Sequence, residues 1–239
     1  MTTPDISALW VYLAASPLAW LTATIAAFLL AQRVSAWGRN HPLLNPVGLA
    51  VALLIGVLYA SGTPYRVYFD GAQFVHFLLG PATVALAVPL FDNLAQVRRT
   101  LIPMAAALVA GCATAILASA GIAKLLGSGP EMIATVAPKS VTTPIAMGVA
   151  EQLGGIPSLT AALVIATGVV GAIMAPPLVK LLGVRDERAG GFAIGVGAGG
   201  IGTARAFQIS ELLGTFSGIG MAFNGLLTAI LTPLLLMLF

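Results

Sequence analysis

Five long apolar runs decide what this chain can become: Leu9–Ala31, Pro46–Ser61, Leu101–Leu126, Leu159–Leu182 and Phe216–Phe239. A helix needs roughly 20 such residues to cross a hydrocarbon core about 30 Å thick. Pro46–Ser61 is short by that measure and extends through Thr63 at the longest. Strands of a membrane barrel would alternate in polarity over about ten positions; these runs do not alternate and are rich in Ala, Leu and Gly. Of 239 residues, 59% are hydrophobic and 8% charged, where soluble domains carry roughly 25% charged. The expected fold is all-α, a polytopic helical membrane protein forming a single integral domain.

Three more segments are apolar but interrupted: Phe74–Phe91 by Gly80-Pro81 and Pro89, then Glu131–Leu153 and Gly190–Leu213. That makes about eight hydrophobic segments, with broken or re-entrant helices among them. They group as residues 1–63 (N-terminal spans), 64–126 (a first broken segment and a span) and 127–239 (two related broken-helix units).

Cations lie singly or in pairs between the runs, so the net charge of +3 reads as membrane orientation and not as nucleic-acid binding. Arg33 and Arg39 place the loop after the first span in the cytoplasm, and Arg98 and Arg99 fit that side if Phe74–Phe91 crosses fully. If Glu131–Leu153 crosses, the cluster of Lys180 with Arg185 to Arg188 lands outside. If it enters and returns, the cluster falls inside, as the positive-inside rule prefers. The re-entrant reading is adopted. Cys112, the one cysteine, lies inside an apolar run and is read as a packing residue.

The richest chemistry lies in Ala137-Pro-Lys-Ser-Val-Thr-Thr-Pro-Ile-Ala-Met147. Pro138 and Pro144 each remove an amide donor and interrupt a helix. Lys139 would cost about 2.5–3.5 kcal/mol at a bilayer centre unless it met a partner or water. A broken, charged segment at that depth belongs inside protein or against a cavity. The chain also resembles itself. Lys139 to Met147, then Glu151-Gln-Leu-Gly154, matches Gly199 to Phe207, then Glu211-Leu-Leu-Gly214, with Thr143 over Thr203 and Glu151 over Glu211. Gly80-Pro-Ala-Thr83 is a weaker third copy. Paired interruptions in two halves point to a transporter site at a repeat interface.

Candidate solute ligands follow. Arg205, after a glycine-rich stretch, could grip a carboxylate with two parallel hydrogen bonds, or pair with Glu151 or Glu211. Lys139 adds a compact charge. Ser140, Thr142, Thr143 and Thr203 could bond a substrate or satisfy backbone groups freed by the prolines. Glu151 and Glu211 read either as carboxylates at helix ends or as proton or sodium carriers. Asn224 reads as interhelical glue, and His76 as a packed residue. No nucleophile elbow, paired-histidine site or phosphate loop is present, so neither an enzyme, a metal site nor a cofactor is expected.

Glu131 to Met147, Glu151-Gln-Leu-Gly-Gly-Ile-Pro-Ser-Leu-Thr160 and Gly200-Ile-Gly-Thr-Ala-Arg-Ala206 closely resemble the LrgB/CidB family, whose plant relative is the plastidial glycolate/glycerate translocator. The likeness runs from about Asn45 onward. It implies an inner-membrane protein described as holin- or antiholin-like and tied to murein hydrolase control. It also implies movement of small monocarboxylates such as glycolate, glycerate or pyruvate, and the expected function is a secondary transporter of that class, lactate included. A small LrgA/CidA-like membrane partner is expected on the same ground; a homo-oligomer is expected as well. One departure is evident: relatives commonly read Ser-His before Gly-Ile-Gly, where this chain has Ala198-Gly199.

Overall fold

The computed structural model describes residues 16–38, 44–78, 81, 91 and 94–239. The described residues are helical and fall into two compact units, 1–85 and 86–239. In the first unit α1 is Pro17–Trp37, α2 Pro46–Ser61 and α3 Tyr65–Phe77. Proline opens α1 and α2 at a position whose amide would be unpaired anyway. Asn45 caps α2 by accepting from the Val47 and Gly48 amides, and Gly62 ends it at φ 64°. Trp20 and Tyr68 meet edge to face at 5.7 Å, and Gly71 seats against the Pro17 carbonyl.

The second unit holds α4 (Leu94–Arg99), α5 (Leu101–Leu125), α6 (Pro130–Val136), α7 (Thr143–Gln152), α8 (Pro157–Leu181), α9 (Glu187–Ile209) and α10 (Glu211–Leu236). Its largest side-chain cluster joins Val97, Phe192, Val196, Phe216 and Ile219.

Among the described residues four helices, α1, α5, α8 and α10, are long and apolar enough to cross a membrane. This is fewer than the eight hydrophobic segments of the sequence reading, and the reasons are local. Pro46–Ser61 is apolar but only 16 residues long. In the Phe74–Phe91 segment most of residues 79–91, with the weak third copy at Gly80–Thr83, lie outside the described residues, as does the side chain of His76. The other two segments double back on themselves.

The doubling back follows from distances. A continuous α-helix rises 1.5 Å per residue, so Glu187 and Ser210 at the two ends of α9 would stand about 34 Å apart. Instead the Ser210 hydroxyl donates to Glu187 Oε2 at 2.6 Å. Ile194 and Ala206 share one cluster, and Gly202 fits against Ala198 only because it lacks a Cβ. The reversal sits at Gly199, with φ 55° and ψ −144°, a conformation that glycine adopts readily and β-carbon residues avoid. We label the two arms α9a (187–198) and α9b (200–209).

α6 and α7 also form a hairpin, the first in chain order, with α9 the second. The Ile156 amide donates to Thr135 Oγ1 at 2.8 Å, and Thr160 Oγ1 donates to the Thr135 carbonyl at 2.9 Å. A straight path from 135 to 156 would be about 31 Å long. Gly155 closes the base, since a Cβ there would lie 2.8 Å from the Thr135 nitrogen.

The hairpins are rooted at opposite ends of α8, the first beside its start and the second beside its end. Ile133 packs on Ala120, Ala123 and Leu236, and Lys124 Nζ donates to the Phe239 carbonyl. The C-terminal ends of α5 and α10 therefore share a level with the start of α8 and the base of the first hairpin.

Candidate functional site

The two hairpin tips meet. A Cβ built on Gly199 would lie 3.7 Å from the Val141 carbonyl oxygen and 3.9 Å from that of Ser140. Asn224, fully buried in α10, ties them: its Nδ2 donates to the Ser140 carbonyl at 3.1 Å and to the Val196 carbonyl at 3.0 Å. Its Oδ1 accepts from Thr228 Oγ1 at 3.5 Å, and that hydroxyl lies 3.2 Å from Cys112 Sγ. A polar chain thus runs from α5 through α10 to both tips.

Lys139 sits on the first tip, half-buried, and among the described residues its ammonium has no hydrogen bond or ion pair. Its neighbour Ser140 is 5% exposed and its hydroxyl is buried without a partner. Thr142 takes the N-cap position of α7 in extended geometry but makes no side-chain capping bond. Ala146 N bonds the Thr142 carbonyl. The amides of Thr143 and Ile145, before it, have no intrahelical acceptor, and Pro144 between them has no amide to offer. The tip therefore combines one cation, three hydroxyls and the positive end of a helix.

The second tip is occupied differently. Thr203 Oγ1 donates to the Gly199 carbonyl at 2.9 Å and pairs with Ser217 Oγ at 2.9 Å, with Met221 Sδ at 3.9 Å. Its hydroxyl is committed to holding the turn. Arg205 lies six residues past Gly199 on α9b. Its Nη1 donates to Gln208 at 2.9 Å, while Nε is buried without a partner. It forms an ion pair with neither Glu151 nor Glu211; the ion pair among the described residues is Arg188 with Asp186 at 2.9 Å. Glu151 is exposed on the last turn of α7, at the base of the first hairpin, and Glu211 is exposed at the base of the second. The structure thus gathers Lys139, Ser140, Thr142 and Thr143 at one tip with Thr203 across from them. It leaves Arg205 further along its arm and both glutamates at the hairpin roots.

Sequence reasoning missed the role of Ser217, Met221 and Thr228 as supports, and gave Asn224 no position relative to the tips. One signal was available: the 60-residue offset that aligns Thr143 with Thr203 also sets Lys139 over Gly199, tip over tip. Among the described residues no cluster of His, Cys, Asp and Glu could hold a metal ion. A separate groove of about 540 Å³ runs between α5, α9a and α10, with Asp186, Arg188, Ala115 and Gly197 among its lining residues.

Comparison with known proteins adds a family. The profile of the LrgB-like family matches residues 24–238. An uncharacterized protein of Haemophilus influenzae is 37% identical over 210 residues, covering 88% of this chain and 90% of its own length. The uncharacterized protein YwbG of Bacillus subtilis is 35% identical over 192 residues, covering 80% and 85%. A protein of Staphylococcus epidermidis named holin-like protein CidB is 30% identical over 200 residues, covering 84% and 87%. No solved structure matches the chain.

Proposed function

The chain belongs to the LrgB-like family of membrane proteins, and from that premise we propose that it is a secondary transporter of small monocarboxylates, of the glycolate, glycerate, lactate or pyruvate class, in the bacterial inner membrane. The observation that carries this reading is the meeting of two helical hairpins, rooted at opposite ends of α8, with Lys139 on one tip.

The arm α9a has 12 residues, about 18 Å of helix and so more than half of a 30 Å hydrocarbon core. With their bases at opposite faces, both hairpins are re-entrant and their tips lie near the bilayer midplane. Broken backbone is tolerated there only inside protein or against a cavity, and transporter sites are built in this way. Charge agrees with the topology. Arg98, Arg99, Lys180, Arg185 and Arg188 fall at one level and Lys124 at the other, so the base of the second hairpin faces the cytoplasm.

A monocarboxylate suits the first tip because one negative charge meets one lysine, two free amides and the unpaired Ser140 hydroxyl. Uptake of labelled glycolate, lactate or pyruvate into proteoliposomes tests the reading, with a proton or sodium gradient imposed in turn. Saturable uptake is expected, with Lys139→Gln lowering it at least about tenfold, the loss of one charge-assisted bond of about 1.5–3 kcal/mol. Arg205→Ala, already engaged by Gln208 and further from the tip, is expected to lower it less. Absence of solute-specific flux in the wild-type protein overturns the proposal.

The name of the staphylococcal relatives, holin-like protein CidB, favours a second reading, a holin-like membrane protein, to which the family resemblance adds control of murein hydrolase activity and lysis. It predicts non-selective leakage indifferent to Lys139 chemistry.

A further inference from the structure

We propose that Asn224 is the positioning residue that sets the distance between the two hairpin tips, and that the anion site is formed only while its amide bonds both. This rests on the transport reading above, although the tie itself is a matter of geometry.

A carboxamide has two N–H donors and one oxygen. Here both donors go to carbonyls freed by the two breaks, Ser140 on the first tip and Val196 at the end of α9a. The oxygen accepts from Thr228, which fixes which end of the amide faces the tips. The Ser140 carbonyl belongs to the turn between α6 and α7 and the Val196 carbonyl to the last turn of α9a before the break at Gly199, so both have few other acceptable partners in a bilayer interior. Asn224 is 1% exposed and Thr228 fully buried, so water does not compete. Further ties bear on one hairpin each: Thr203 with Ser217 holds α9b to α10, and Thr135 with Ile156 and Thr160 closes the root of the first. Asn224 reaches both tips at once. Ser140 sits between that tie and Lys139 in the chain, so the tie fixes the backbone from which the ligand groups project.

Moving either tip away from the other breaks one bond of the same amide. A solute passing between the tips must therefore open this tie, and a solute held by Lys139 and the α7 amides is held in a frame that the tie sets.

The test uses Asn224→Leu, similar in size but without donors or acceptor, and Thr228→Val, which removes the hydroxyl that orients the amide. Amide hydrogen exchange is read on the purified full-length protein without solute. Peptides spanning 137–143 and 196–203 are expected to exchange about tenfold faster in Asn224→Leu, since two buried carbonyls are left without a partner. Peptides at the hairpin roots, 130–134 and 187–191, are expected to stay at wild-type rates. Transport should show KM raised about tenfold with kcat changed less, and Thr228→Val should shift both readouts in the same direction by a smaller factor. Equal acceleration at tips and roots, or acceleration at one tip alone, overturns the proposal. If Asn224→Leu does not assemble, Thr228→Val decides: tip-specific exchange supports the tie, and wild-type exchange overturns it. Exchange needs no transported solute, so failure of the transport reading would leave this result legible.

Discussion

Gly195 shows how tightly one residue constrains the second hairpin. A Cβ there would strike the Ser217 carbonyl and come within 2.8 Å of the Met221 nitrogen, both backbone atoms of α10 that cannot step aside. Gly191 against Leu213 and Gly220 against Phe192 make the same close approach. Close helix approach through small residues is how membrane helices associate without a hydrophobic driving force between them. Gly197 faces open space. Gly195→Ala is therefore expected to destabilise the protein by about 1–3 kcal/mol through overpacking. Gly197→Ala should be neutral or gain up to about 1 kcal/mol of helix propensity. Thermal unfolding in detergent separates them: Tm falls for the first and holds or rises for the second, and equal Tm values would refute the packing account. At the other end of α9a, Asp186 caps the helix by accepting from the Arg188 amide. Side-chain and backbone hydrogen bonds from Arg188 hold its carboxyl below the usual carboxylate value. A carboxyl depressed in the folded state contributes stability above its unfolded value of about 3.9 and loses it as pH falls through the folded value. Fraying of residues 187–190 should accordingly set in only below about pH 4, and Asp186→Ala should fray them at neutral pH, both read by amide exchange.

At the scale of elements, the hairpins were half legible. Pro138, Pro144 and the glycine run announced the two interruptions, and their common register announced that they correspond. The reversal of α9 was not legible, because a glycine-rich stretch serves a mild kink as well as a full turn. Contacts far apart in sequence settle it, Glu187 with Ser210 and Ile194 with Ala206. The register also promised equivalent roles for Glu151 and Glu211. The structure keeps both exposed at a hairpin root, Glu151 in the last turn of α7 before the turn at Gly154 and Gly155, and Glu211 in the first turn of α10 after Ser210. Arg205 drew notice as a cation among apolar residues, but helix rise carries it about 9 Å beyond the tip. The hairpins make a topological prediction. On a Cys112→Ala background, Ser128→Cys and Ser158→Cys should label from one face of the membrane, and Arg185→Cys from the opposite face. Labelling of Ser128→Cys and Ser158→Cys from opposite faces would mean that the first hairpin crosses and does not return.

At the scale of the whole molecule, a carrier and a lesion make different demands on the hairpins. In the second unit α5, α8 and α10 alternate in direction, and the hairpins occupy the space between them from opposite ends, each reaching no further than the other's tip. A continuous aqueous hole along this path would have to part the tips and strip the Asn224 amide from both carbonyls together. Unequal opening, one hairpin at a time, breaks one of those bonds and exposes the Lys139 tip to one side only. Flux should then saturate with solute concentration and exclude molecules much larger than a three-carbon acid. Proteoliposomes loaded with both labelled glycolate and a fluorescent dye of several hundred daltons read this directly. Release of glycolate with the dye retained, lost in Lys139→Gln, is the expected result. Joint release of both, unchanged in that variant, would mean that the tips part together and that the holin-like reading describes the protein.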